Sequence, residues 1–193
     1  TVLMKNKNDV DLVVISGPSG VGKGVIIKQL LDQCSFLHLA VSATTRSSRK
    51  HEVEGIDYYF LSDNEFDKSI KQDDFVEWCQ VHKHRYGTLK NEFSRIKALN
   101  GISLLEIDVV GALKIKQLYP QALIVFIAPP NLTELKKRLQ IRNTESDKDV
   151  AIRLKTAEKE LLKINSFDFL LINDIISNSI NELKALIKNS YNR

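Results

Sequence analysis

The sequence predicts an α/β fold, with a five-stranded parallel sheet flanked by helices, a small mixed lobe and a helical lid. Short apolar runs rich in branched residues recur at Leu12 to Ile15, Leu37 to Val41, Ile102 to Ile107, Leu123 to Ile127 and Phe167 to Ile172, and such runs suit strands buried on both faces. Helical periods follow some of them: Ile26, Leu30 and Leu31 after the first, Leu132, Leu135 and Leu139 after the fourth. That alternation belongs to parallel sheets covered by helices.

Two stretches break the pattern. Ser42 to Asn100 is too long for a simple crossover and holds a strand-like Tyr58 to Leu61 and a helical Asn64 to Gln72, so it reads as a separate lobe. Arg138 to Arg153 is dense in charge, with Arg142, Glu145, Asp147, Lys148 and Asp149 between its ends, and reads as a mobile, solvated flap. The expected organisation is a core of residues 1–41, 101–136 and 157–193, a lobe of 42–100 and a lid of 137–156. Ile180, Leu183 and Ile187 share one helical face in the tail from Ser179 to Lys188, which should pack back on the core.

Composition narrows the classes. A chain of 193 residues with 43% hydrophobic content can bury one compact core. The 28 Lys and Arg against 24 Asp and Glu leave a net charge of +4, an excess that suits small anions and does not call for nucleic acid. Cys34 and Cys79 have neither metal-ligand spacing nor disulfide density, and Thr1 to Asp11 carries no apolar run long enough for a signal peptide or a membrane span. A cytoplasmic protein without a membrane partner is the expectation. Oligomeric state stays open.

Directly after the first apolar run comes Gly17-Pro18-Ser19-Gly20-Val21-Gly22-Lys23-Gly24, then a helical pattern. Strand, glycine-rich turn and helix start, in that order, form a P-loop and point to a P-loop NTPase core that binds ATP. Glycines let the backbone turn tightly and aim N–H groups at phosphate oxygens, and Lys23 should reach the β- and γ-phosphates. Gly24 and Val25 stand where a hydroxyl often meets Mg²⁺. The metal is therefore expected to be held mainly by ATP and water, with no direct protein ligand.

Ser42-Ala43-Thr44-Thr45-Arg46-Ser47-Ser48-Arg49, then Glu52, Gly55, Asp57, Tyr58, Tyr59 and Phe60, closely resembles the acceptor-binding signature of guanylate kinases. The resemblance continues through Phe75-Val76-Glu77-Trp78, Tyr86-Gly87-Thr88, Glu106-Ile107-Asp108, the lid string and Asn173-Asp174, and so spans nearly the whole chain. It implies an enzyme that moves the terminal phosphoryl group of ATP onto GMP or dGMP with Mg²⁺. By the same resemblance Ser42, Arg46, Arg49, Glu52, Tyr58, Tyr86 and Gly87 belong to the GMP site. Glu77, Thr88 and Asp108 read or support the guanine, with the threonine hydroxyl donating to O6. Lys23, Arg49, Arg142 and Arg153 match catalytic groups, and Arg138, Asn173 and Asp174 match residues on the ATP side. Ser48, His51 and Glu106 depart from the common Pro, Gly and Asp.

The residues make physical sense by themselves. Arg46 and Arg49 offer forked donors suited to a phosphate dianion, although paired loop arginines are also ordinary surface charge. In an alternating strand one of Tyr58 and Tyr59 should face a core. Glu77, between Val76 and Trp78, is a carboxylate in apolar company and needs a partner, which guanine can supply through N1–H and its 2-amino group. Asp108 has two competing roles, indirect metal coordination and acceptor contact, with the resemblance favouring the acceptor; Glu106 has no assigned role. The alternatives are a catalytically silent guanylate-kinase-like protein-binding module and a nucleoside monophosphate kinase of another specificity.

Overall fold

The computed structural model describes residues 11–81, 83–141 and 147–192. Strand β1 (Leu12–Ser16) is buried at every residue because it lies at the centre of a parallel sheet. Its neighbours are β7 (Ile102–Glu106) and β8 (Leu123–Ala128), with β2 (Leu37–Leu39) and β9 (Phe169–Ile172) at the edges, giving the order β2-β7-β1-β8-β9. Alternation along β1 feeds two apolar layers. Val13 and Ile15 pack with Ile26 and Leu30 of α1 (Lys23–Gln33) and with Ile180, Leu183 and Ile187 of α7 (Ile176–Tyr191). Leu12 and Val14 pack with Phe93 and Ile96 of α3 (Lys90–Ala98) and with Ala112 and Ile115 of α4 (Val109–Leu118).

The second strand, expected over Leu37 to Val41, is shorter than its apolar run. After Leu39 the chain leaves the core sheet, and at Ser42 it enters β3 (Ser42–Thr44) of a second, mixed sheet ordered β4-β3-β6-β5. This sheet adds β4 (Tyr59–Phe60), β5 (Phe75–Val81) and β6 (His84–Leu89), and packs on α2 (Asp63–Lys71), whose start is fixed by a reciprocal cap between Ser62 and Glu65. Phe66 stacks on Phe75 with ring centroids 4.5 Å apart, so the lobe has its own small core. Tyr59 joins that core while Tyr58 faces Arg46, which resolves the alternation that the sequence leaves open.

The charged segment is more than a solvated flap. Helices α5 (Leu132–Ile141) and α6 (Asp147–Leu161) close an apolar seam of Leu135, Leu139, Val150 and Ala157, all buried. Charge density hid it because four apolar residues at helical spacing suffice to join two helices. Among the described residues no helix is long and apolar enough to cross a membrane.

Lobe and core meet at a buried carboxylate. Glu92 of α3 accepts hydrogen bonds from the Val41 amide at 2.7 Å, the Tyr59 hydroxyl at 2.9 Å, and Arg95 Nε and Nη2 at 3.0 and 2.7 Å. Arg95 also donates to the Leu39 carbonyl. Burial pushes the Glu92 carboxyl up, but Arg95, the Val41 amide and Tyr59 outweigh it and hold it below its ordinary value. A depressed folded-state value contributes stability at pH above the unfolded value, about 4.3, and that contribution is lost as pH falls through the folded value. Glu92→Gln should therefore cost about 1–3 kcal/mol at neutral pH. In urea titrations at a series of pH values the gap to wild type should close in acid; a constant gap contradicts the assignment.

Candidate active site

The loop between β1 and α1 turns through left-handed glycines. Gly17 has φ +138°, and a Cβ there would lie 2.1 Å from the Ile127 carbonyl oxygen; Gly22 has φ +98° and immediately precedes α1. The turn lies at the carboxyl end of the central strand, so the first amides of α1 open onto the cleft side of the sheet. Lys23 Nζ donates to the carbonyls of Gly17 at 2.6 Å and Pro18 at 3.1 Å, curling the ammonium over the loop that it serves. Val21 is fully buried and contributes packing and backbone, while Gly24 is exposed with open space where a side chain would stand.

Arg46 leaves the end of β3 with its guanidinium already oriented. Both Glu52 oxygens accept from it, at 2.7 and 2.9 Å, and it lies 5.3 Å from the Tyr58 ring centroid and 5.9 Å from that of Phe60. The Arg49 amide donates to the same carboxylate at 2.7 Å, which curls the loop around Glu52. Glu52 thus differs from its expected role: its oxygens are engaged by Arg46 and the loop, and as an anion it orients the cation that a phosphate would meet. Arg46 holds the Glu52 carboxyl below its ordinary value. Tyr58 meets Tyr86 edge to face at 6.1 Å, Ser42 is half-buried in β3, and the Arg49 side chain is exposed.

Glu77 lies opposite Thr88, set there by a one-residue bulge between Phe75 and Glu77 in the β5–β6 pairing. Gly87 allows the close approach, since a Cβ would strike the Phe75 ring at 2.7 Å and the Glu77 carbonyl at 2.9 Å; it shapes the strand pair and has no side chain to offer a ligand. Glu77 is 7% exposed, and burial pushes its carboxyl up, partly offset by the Thr88 hydroxyl and reinforced by Asp108. The Thr88 hydroxyl donates to Glu77 Oε1 at 3.0 Å, so its proton is directed at the carboxylate and away from the expected O6 contact. Asp108 caps α4 by accepting from the Gly111 amide at 2.6 Å, and its other oxygen faces the Cys79 thiol at 3.6 Å. Gly111 keeps this recess open: a Cβ there would be 3.1 Å from Glu77 Oε2 and 3.2 Å from Asp108 Oδ1.

The lid helices touch the loop. Arg153 Nη2 donates to Ser19 Oγ, and the Leu139 side chain lies 2.6 Å from where a Cβ on Gly20 would stand. Arg138 donates to the Asn173 carbonyl at 3.0 Å and to Glu134 at 3.2 Å. Arg142 lies outside the described residues. Asp174 is exposed at the end of β9, whereas Asn173 is 1% exposed with its amide turned inward, which removes it from direct contact with a nucleotide base.

Sequence reasoning missed several participants. Glu106 ends β7, paired with Ile15 of β1; its side chain is exposed, and its carboxyl feels the charge of Lys23. Cys79 could have been suspected from its place two residues after Glu77. Burial and the neighbouring carboxylates push its thiol up to about 12, which makes it a donor to Asp108 and a poor nucleophile. Glu160 of α6 also feels Lys23 and is pushed up by burial; nothing local in the sequence signals it.

Similarity to known proteins extends over nearly the whole chain. The family model for guanylate kinase matches residues 9–190. The guanylate kinase of Clostridium acetobutylicum is 44% identical over 177 residues, covering 91% of this chain and 84% of that protein. That of Caldanaerobacter subterraneus subsp. tengcongensis is 41% identical over 176 residues, covering 91% and 85%. The crystal structure of guanylate kinase from Anaplasma phagocytophilum is similar with a TM-score of 0.75 at 27% identity, over 93% of this chain and 85% of that one. With a glycine-turned phosphate loop on the central strand, a lobe that holds Arg46 and Glu77, and relatives matched over 91% of its length, this chain belongs to the guanylate kinase family.

Proposed function

We propose that the chain transfers the terminal phosphoryl group of ATP to GMP, and to dGMP, giving ADP and the diphosphate. The observation that carries the acceptor assignment is Glu77, a buried carboxylate held through one oxygen by Thr88, with its other oxygen at the recess that Gly111 leaves. Guanine presents N1–H and a 2-amino group to such an acceptor. Adenine presents a lone pair at N1 and no 2-amino group, and would leave the charge unmatched.

The chemistry needs alignment and charge neutralisation. An oxygen of the GMP phosphate forms a bond to the γ-phosphorus while the bond from that phosphorus to the β,γ-bridging oxygen breaks and ADP takes the electron pair. No general base is required, because a phosphate monoester with a second pKa of about 6 is largely dianionic at neutral pH. Arg46, Arg49, Ser42, Tyr58 and Tyr86 hold the acceptor phosphate, with Glu52 keeping Arg46 aimed. The loop amides and Lys23 hold the ATP phosphates, and Arg153 and Arg142 bring further positive charge from the lid. A magnesium ion carried by the nucleotide would meet open space at Gly24 above the helix start, with the Glu106 carboxyl, which feels the Lys23 charge, as an acceptor that its hydration shell could use. Mg²⁺ bound with ATP supplies neutralisation of the phosphate charge. The free thiols Cys34 and Cys79 fit a reducing cytoplasmic setting.

A coupled ADP-release assay tests the reading: turnover with GMP and dGMP, and little with AMP or UMP. Absence of turnover with all four would favour the silent protein-binding module.

Arg153→Ala should lower kcat by up to ~10³ with a smaller effect on the KM for GMP, since an added arginine acts most where charge develops. A change in KM alone would make Arg153 a simple binding group.

Base choice is tested at Glu77. The preference for GMP over AMP in kcat/KM, ~10⁴ or more for a polar site of this kind, should collapse in Glu77→Gln. Because the empty-site carboxyl is pushed up while guanine favours its charged form, GMP binding should be coupled to Glu77 ionisation at pH values where that carboxyl is still protonated. The wild-type to variant ratio for GMP should then rise with pH above the ordinary carboxylate range and level off once Glu77 is ionised in the empty site. Taking the ratio cancels the titration of GMP itself, and a flat ratio would remove Glu77 from base reading.

A further inference from the structure

Asn173 touches four parts of the molecule without facing solvent. Its Nδ2 donates to the Val21 carbonyl in the phosphate loop at 2.7 Å, and its Oδ1 accepts from Ser179 Oγ of α7 at 3.0 Å. Its amide donates to Ala128 at the end of β8 at 2.8 Å, and its carbonyl accepts from Arg138 of α5 at 3.0 Å. The Val21 carbonyl, which can only accept, sets Nδ2 on the loop, and the Ser179 hydroxyl, which can donate or accept, then donates to Oδ1.

The consequence for the loop follows from peptide geometry. In a trans peptide the C=O of one residue and the N–H of the next point in opposite directions. With the Val21 carbonyl held inward by Asn173, the Gly22 N–H points outward to the side on which the phosphates are expected. Were that peptide to flip, an N–H would confront the Nδ2 donor. Gly22 is also the residue that admits the carboxamide: a Cβ on it would lie 2.7 Å from Nδ2. The other backbone contact of Val21, from its N–H to the Pro18 carbonyl, is long at 3.4 Å.

We propose that Asn173 is a positioning residue for phosphoryl transfer, locking the Val21–Gly22 peptide so that the Gly22 N–H is presented to an ATP phosphate. This rests on the reading of the loop as the ATP site. It differs from a direct contact between Asn173 and the nucleotide.

The test uses the full-length chain and a fluorescent ATP analogue, titrated without GMP. Asn173→Asp keeps size and the acceptor for Ser179 but sets an oxygen against the Val21 carbonyl. Loss of a buried donor predicts about tenfold or weaker binding of the analogue, with a lower kcat. GMP affinity measured calorimetrically without ATP should stay within about twofold, since no contact to the lobe changes. Ser179→Ala, which only loosens the carboxamide, should weaken the analogue about threefold and carries the test should the aspartate variant not fold. Equal losses for both nucleotides, or unchanged analogue binding in a folded variant, would overturn the proposal. Lys23→Ala run in parallel separates the two layers. If it binds and turns over ATP normally, the loop reading itself fails; if it is impaired while Asn173→Asp is normal, only the role of Asn173 fails.

Discussion

The turn from β1 into α1 is the constraint around which the other elements are arranged. A strand buried at all five residues must hand the chain to a helix on one face of the sheet within six residues, and left-handed glycines make this possible. The same turn leaves amides without intrahelical partners, directed to the carboxyl end of the sheet. Each later segment then meets the loop from a different side: β8 against Gly17, the residue after β9 against Val21, and the lid against Ser19 and Gly20. The turn is thereby enclosed by packed elements of both the core and the lid helices.

Three glutamates illustrate how environment divides one residue type into distinct tasks. Glu92 is buried but surrounded by donors from core, lobe and its own helix, so it remains charged and joins the two sheets. Glu77 is buried with one hydroxyl donor and a neighbouring carboxylate, so its charge is poorly compensated until a ligand brings donors. Glu52 is satisfied by Arg46 and works as a holder of that cation. Burial, charge and hydrogen-bond count decide among these outcomes. Under the proposed reaction, arginine on the lobe and lysine on the loop would supply the positive charge that two mutually repelling phosphate groups need in order to approach.

Much of this was legible in the sequence because it depends on local spacing. The five strands of the core sheet, of which the edge strands β2 and β9 are only partly buried, the glycine turn before a helix, and the tail helix with Ile180, Leu183 and Ile187 on one face all follow from patterns that neighbouring residues impose on each other. The motifs of the lobe named Arg46, Glu77 and Thr88 through resemblance, which carries residue identity but not the partner of each atom.

What only the tertiary structure decided are the contacts between residues far apart in the chain. The Thr88 proton goes to Glu77, eleven residues away, and Glu52 takes both forks of Arg46 in a curled loop. The lid seam joins Leu135 to Ala157, and Asn173 reaches Val21 across 152 residues. Chain periodicity reports which residues share a face, because φ and ψ repeat along an element. It does not report which face meets which, since that depends on how the elements pack, and the hydrogen-bond partner of a buried polar atom is chosen only when those faces have closed.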